Sequence, residues 1–139
     1  MALDGPPGRW PPRDAVVAVL VDETLYVMTT PDEQKARNLG RNPRVAITTG
    51  TNTWDRGLDL VVKGTARRDT DEATLRSAAE AWGSTWDGRR TLAVGRGRPR
   101  NLADGEPMPF EVLVFAIDPT AAYGHAKGRF GHTNLTLDR

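Results

Sequence analysis

The chain has 139 residues and carries 19 Lys or Arg against 18 Asp or Glu, a net charge of +1, so one domain with one core is expected and the overall balance gives no case for a nucleic-acid or acidic-membrane partner. There is no Cys, which excludes disulfides, thiolate metal sites and cysteine nucleophiles. No apolar run approaches the roughly 20 residues that span a bilayer, so a cytoplasmic protein without membrane contact is expected.

Residues 1–13, with Pro6, Pro7, Pro11 and Pro12 around Gly5 and Gly8, cannot sustain a helix or a central strand and read as a loose N-terminal arm. Residues 15–21 (Ala-Val-Val-Ala-Val-Leu-Val) are apolar on both pleat faces, which predicts a strand buried on two sides. Asp22 and Glu23 turn it into residues 24–29, a hairpin that lacks the favoured Asn-Gly pair. Thr30, Pro31, Asp32 and Glu33 put a hydroxyl at N-cap, Pro at N1 and Glu at N3, a capping box whose helix Gly40 and Pro43 close. Residues 44–49 form a third short strand. A loop over 50–57, holding Asn52, Trp54 and Asp55, leads into residues 58–67. There Leu58, Leu60, Val62, Gly64 and Ala66 alternate with Asp59, Val61, Lys63, Thr65 and Arg67, a strand with one buried face and a bulge at Gly64.

Asp69 with Glu72 starts a second helix, on which Leu75, Ala78, Ala79, Trp82 and Trp86 share a core-facing stripe, with Gly83 and Gly88 bracketing its end. Residues 89–109 are rich in Arg, Gly and Pro and read as a long surface loop with a weak strand candidate at 91–94. Residues 110–117 are an apolar strand; Asp118-Pro119 turns it, and residues 120–123 begin the last one. Sequential strands with only two helix signals predict a mainly β domain over 1–139, a small closed or partly closed antiparallel barrel.

The inventory for protein-only catalysis is poor: two His, His125 and His132, no His-Glu-x-x-His helix and no Walker loop. No catalytic acid, base or nucleophile is singled out, and the two His, in a Gly-rich tail without nearby carboxylates, do not predict a metal site. The positive signal is at Thr29, Thr30, Lys35 and Arg37. Two hydroxyls ending a strand and two cations on the following helix are the components of a phosphate cradle, and equally those of a capped surface helix with solvated charges. Asp32 and Glu33 in the first turn disfavour a phosphate on the backbone amides there, which leaves the side chains to bind one. Arg96, Gly97, Arg98 and Pro99 match the core of the minor-groove-binding AT-hook peptide. A run so short arises by chance in an Arg-rich chain, and a surface loop is the expected reading.

Residues 24–47, Thr-Leu-Tyr-Val-Met-Thr-Thr-Pro-Asp-Glu-Gln-Lys-Ala-Arg-Asn-Leu-Gly-Arg-Asn-Pro-Arg-Val-Ala-Ile, resemble the pyridoxamine 5'-phosphate oxidase-like, flavin-binding split β-barrel family. The most specific stretch is Lys35, Asn38, Leu39, Asn42, Pro43 and Val45, and the resemblance runs on through the helix ending at Trp86 to the tail at 123–133. It implies an antiparallel split β-barrel of Greek-key type with two short helices, forming a homodimer. It also implies an oxidoreductase that holds FMN, or alternatively the deazaflavin coenzyme F-420, at the dimer interface and exchanges hydride or electrons with a small-molecule substrate. By that resemblance Lys35 contacts the cofactor phosphate with Thr29 and Thr30 beside it and Arg37 in the same cradle, and Trp54 covers the ring or lies in the core. His125, Lys127, Arg129 and His132 then face the substrate as donors to an anionic or carbonyl group. The alternatives are a cofactor-binding or catalytically inactive split-barrel dimer and, remotely, a minor-groove DNA binder acting through Arg96, Gly97, Arg98 and Pro99.

Overall fold

The computed structural model describes residues 2–3, 16–51, 53–86, 90–96, 98–129 and 131–137. The Pro-rich arm therefore lies outside the described residues apart from Ala2 and Leu3, as do Asn52, Gly88 and Gly97. In chain order the elements are β1 (Ala2–Leu3), β2 (Val19–Val21), β3 (Thr24–Thr29), α1 (Gln34–Arg41), β4 (Arg44–Thr49), β5 (Gly57–Arg68), α2 (Glu72–Thr85), β6 (Arg90–Gly95), β7 (Arg98–Ala103), β8 (Glu106–Glu111), β9 (Leu113–Lys127) and β10 (Gly131–Thr136).

All strand pairs are antiparallel. The main sheet runs β1-β4-β5-β9-β3-β2 with β10 added to β9, and β6-β7-β8 form a second sheet. The long β9 organises the molecule: residues 113–117 lie between β3 and β5, and residues 121–127 lie between β5 and β10. Alternation along β3 and β9 sends side chains to two cores. Tyr26, Val114 and Ala116 meet Leu75, Ala78 and Trp82 of α2 and Leu92 of β6. Val27, Phe115 and Ile117 meet Leu39 of α1, Val45 of β4 and Ala66 of β5. Trp82 is fully buried, and its indole donates to the Val17 carbonyl at 3.0 Å, so its one polar atom is satisfied. This is the mainly β, antiparallel split-barrel architecture expected from the sequence. Among the described residues no helix is long and apolar enough to cross a membrane.

The first hairpin closes as predicted: Val21 pairs with Thr24, and Asp22 and Glu23 adopt φ of +47° and +65°, the left-handed pair that a two-residue turn requires. The bulge at Gly64 is also present, with the β5–β9 register slipping between Lys63 and Gly64.

Other expectations are corrected. Of the apolar run 15–21, described from Val16 onward, residues 19–21 form a strand, and Val17 and Leu20 are 47% and 66% exposed, so the run is not buried on both faces. The capping box at Thr30 does not form. The backbone turns first, with Glu33 N donating to Thr30 O at 3.2 Å, and α1 begins at Gln34 with Glu33 extended at its N-cap. Helix α1 runs through Gly40 and stops at Asn42, and α2 runs through Gly83. The α2 cap is Asp71, whose carboxylate accepts from Thr74 N at 3.0 Å, while Asp69 accepts from Asp71 N one step earlier.

The largest correction concerns residues 89–109, which from Arg90 onward are strands and not a loop. Leu92 and Val94 alternate inward against α2, and Ala103 pairs with Glu106 across Asp104 and Gly105 at φ of +52° and +82°. Asp118-Pro119 does not turn the chain, because β9 continues through it with Pro119 opposite the bulge at Gly64. Phe110 belongs to β8, with Val112 separating it from β9.

Candidate functional site

At the end of β3 the pleat turns Thr29 inward, and its side chain is buried beside Leu113 of β9. The tight turn over residues 30–33 then brings α1 back so that Lys35 and Leu39, one helical turn apart, form its buried stripe. A charge on such a stripe needs a counter-charge. Glu33 supplies it: its carboxylate pairs with Lys35 Nζ at 2.8 Å and accepts the hydrogen bond donated by Thr29 Oγ1. The Lys35 ammonium and the Thr29 hydroxyl hold the Glu33 carboxyl below its ordinary pKa.

Thr30 and Arg37 are used differently. Thr30 Oγ1 donates to Asp32 Oδ1 at 2.6 Å, which lowers the Asp32 pKa. The exposed Arg37 guanidinium lies along its own helix, donating to Asp32 O at 2.8 Å and Gln34 Oε1 at 3.1 Å. The structure thus gathers Thr29, Glu33 and Lys35, with Thr30 adjoining, and turns Arg37 away.

The second group lies at the far end of β9. Asp59, His125 and His132 stand in one cross-strand row on β5, β9 and β10, and the two imidazole rings meet edge to face with centroids 6.0 Å apart. The expectation that these His have no carboxylate nearby is therefore corrected by Asp59. Two residues along β9 on the same face, Lys127 Nζ sits 3.0 Å from Asp59 Oδ1 and donates to Thr51 O at 2.6 Å. Lys127 joins Thr51, Thr53, Trp54 and Asp55 around a surface depression of about 570 Å³. Trp54 is 82% exposed there, so it is not a core residue. Arg129 is exposed in the turn that follows β9. No cluster of three or more His, Asp or Glu placed to hold a metal exists among the described residues.

The opposite face of this three-stranded end is apolar. Leu58, Leu60, Ala122, Gly124, Ala126 and Leu135 line a groove of about 470 Å³, with Leu58 and Leu135 half exposed or more. The face of β5 predicted to be buried is thus covered only from Gly64 onward within one chain. Of the AT-hook-like residues, Arg96, Arg98 and Pro99 are described and belong to the β6–β7 hairpin: Gly95 pairs with Arg98, Arg96 has φ +53° and Pro99 is buried. A paired hairpin is not the extended ribbon that enters a minor groove.

The two groups of candidate residues attach near opposite ends of β9. Thr29 pairs with Leu113, and His125 lies far along the same strand, about 40 Å of contour at the usual rise per residue. Glu33 and Asp59 are the residues that sequence reasoning missed. By sequence Glu33 is the N3 residue of a capping box, and Asp59 one polar position of a half-buried strand.

The family model for pyridoxamine 5'-phosphate oxidase matches residues 4–126. No curated protein gives a match. Among solved structures, the chain is similar to General Stress Protein 26 from Bacillus anthracis, at 18% identity and a TM-score of 0.60, covering 92% of this chain and 81% of that one. It is similar to a NimC/NimA family protein from Clostridium acetobutylicum, at 14% identity and a TM-score of 0.60, covering 96% and 81%. It is also similar to a pyridoxamine 5'-phosphate oxidase-related, FMN-binding protein from Nostoc punctiforme, at 13% identity and a TM-score of 0.56, covering 99% and 84%.

Proposed function

The chain belongs to the pyridoxamine 5'-phosphate oxidase family, and on that premise we propose that it is an FMN-dependent oxidoreductase whose cofactor lies between two copies of the chain. The observation that carries the reading is the buried Lys35 ammonium set beside the buried Thr29 hydroxyl at the end of a barrel strand. This donor set fits a phosphate: a point charge with three N–H donors and one O–H donor, screened from water. The coenzyme F-420 is the alternative occupant, since its deazaflavin also carries a phosphate.

The separation along β9 supports a shared site. The Lys35 end of one copy would complete its pocket with the Trp54 and His125 end of a second copy, and the exposed apolar groove beside Leu58, Leu60 and Leu135 is the kind of surface that an interface covers. When bound, the flavin supplies the hydride or electron transfer. Of the chain's own residues, Lys35 and Thr29 anchor the anionic end, and Thr30 shapes the turn that presents them. Trp54 shields the ring from water; His125, Lys127, Arg129 and His132 donate hydrogen bonds to an anionic or carbonyl substrate.

The test is spectroscopic. The purified protein is titrated with FMN and, separately, with F-420, and visible absorbance and fluorescence give the dissociation constants. FMN is expected to bind, and Lys35→Ala is expected to weaken it by about 1–3 kcal/mol, the loss of one charge-assisted contact. Failure of both the wild type and Glu33→Gln to bind either cofactor removes the reading, and an unchanged constant in Lys35→Ala removes the site. Anaerobic reduction of the bound flavin by a nicotinamide donor separates an oxidoreductase from a barrel that only carries its cofactor.

A further inference from the structure

The Lys35 seat already holds an anion. Glu33 occupies the N-cap position of α1 but its side chain makes no capping hydrogen bond: its carboxylate takes the Thr29 hydroxyl hydrogen bond and lies 2.8 Å from Lys35 Nζ. From the reading that a cofactor phosphate lies on these two donors, which this inference rests on, we infer that Glu33 is a built-in competitor for the anionic end of the ligand and sets the affinity and selectivity of the site for it.

The competition follows from donor counting. Thr29 has a single O–H, which in this structure points to Glu33, so it can reach a phosphate oxygen only after that bond is released. Lys35 has three N–H donors and can serve two acceptors, but a phosphate beside an unmoved Glu33 would place two anions on one ammonium in a site with little water. Glu33 must therefore swing out before the phosphate seats. Its side chain is 42% exposed, so it has a path to solvent, whereas Lys35, at 10%, stays in place. The neighbouring Asp32 carboxylate accepts from the Thr30 hydroxyl, whereas Glu33 takes the Thr29 hydroxyl and the Lys35 ammonium. The consequence is a threshold: a weak anion cannot displace Glu33, while a phosphate dianion can.

The experiment measures FMN and riboflavin binding to the full-length wild-type chain, to Glu33→Gln and to Glu33→Ala. Riboflavin carries the same ring and lacks the phosphate. Glu33→Gln keeps the length of the side chain and removes its charge, and is expected to bind FMN about tenfold or more tightly while riboflavin is unchanged. Glu33→Ala is expected to shift FMN in the same direction, which guards against a failure of the first variant to fold. FMN binding by either variant when the wild type takes up no flavin supports the inference equally. The inference falls, with the FMN reading intact, if the wild type binds FMN and neither variant binds it more tightly, or if riboflavin tightens as much as FMN. Both fall together if wild type and variants alike bind no flavin.

Discussion

A lysine on the buried stripe of a two-turn helix survives only beside a counter-charge, and the pairing of Lys35 with Glu33 has a measurable acid signature. The folded pKa of Glu33 lies below the ordinary 4.5, so its contribution to stability is fully present above pH 4.5 and is lost as the pH falls through the folded value. Wild type is therefore expected to be more stable than Glu33→Gln at neutral pH. The gap in denaturation midpoint should close on acidification below 4.5, and a gap that stays constant or widens in acid contradicts the assignment. The same substitution is expected to tighten FMN, so the residue trades stability of the free protein against affinity. Among the described residues the buried Asn101 Oδ1 has no hydrogen-bond partner, and its strand position faces Leu92 in the second sheet. An unpaired buried carbonyl costs roughly 1–3 kcal/mol, so Asn101→Leu is expected to be neutral or to stabilise by about 1 kcal/mol in chemical denaturation. A clear loss of stability would show that the amide makes a needed contact.

At the scale of elements, what could be read from the sequence was what local chemistry decides. The β3 and β4 bounds, the β5 alternation from Gly64 onward and the core stripe of α2 followed from periodicity and residue type alone. The second sheet was hidden because its strands carry exposed Arg and several Pro, one of them, Pro99, buried in the central strand, although Asp104-Gly105, a strong two-residue turn signal, lay in the middle of it. The helix starts shifted because Thr30 and Asp69 spend their polar atoms on the turns that precede the helices, which local spacing cannot distinguish from capping. Of the candidate site, Thr29 and Lys35 were legible as residue types; Glu33 and Asp59 were not, because their roles depend on a turn and on a three-strand register. Two glycines test the element reading. At Gly64 an added Cβ would come within 2.4 Å of Asp118 O and 3.0 Å of Pro119 Cα, both backbone atoms that the bulge fixes. Gly64→Ala is thus expected to lose about 2 kcal/mol. At Gly83, inside α2 with nothing within 4 Å of such a Cβ, Gly83→Ala is expected to gain about 0.5–1 kcal/mol from helix propensity. Thermal melts of the two variants should move in opposite directions, and a tolerated Gly64→Ala would show that the bulge is not tightly packed.

At the scale of the whole molecule, the question is whether one chain suffices. Lys35 and Trp54 are anchored at opposite ends of β9, the first through Thr29 beside Leu113 and the second beside Lys127. If both contact one flavin, they belong to different copies, and each dimer then holds two sites, each built from the Lys35 end of one copy and the Trp54 end of the other. Subunit mixing turns this geometry into a number. Lys35→Ala and Trp54→Ala homodimers should each bind FMN weakly at both sites. Unfolding the two together and refolding them yields about half heterodimers, each with one site that retains both wild-type residues and one that lacks both, so about a quarter of all sites should recover wild-type affinity. If the sites were contained within single chains, every site would keep one defect and mixing would recover nothing. If the apolar groove of β5, β9 and β10 is the surface that a second copy covers, Leu60→Asp is expected to yield a monomer by sedimentation and to lose FMN binding with it. A Leu60→Asp monomer that still binds FMN with wild-type affinity would return the site to one chain and set aside the shared pocket.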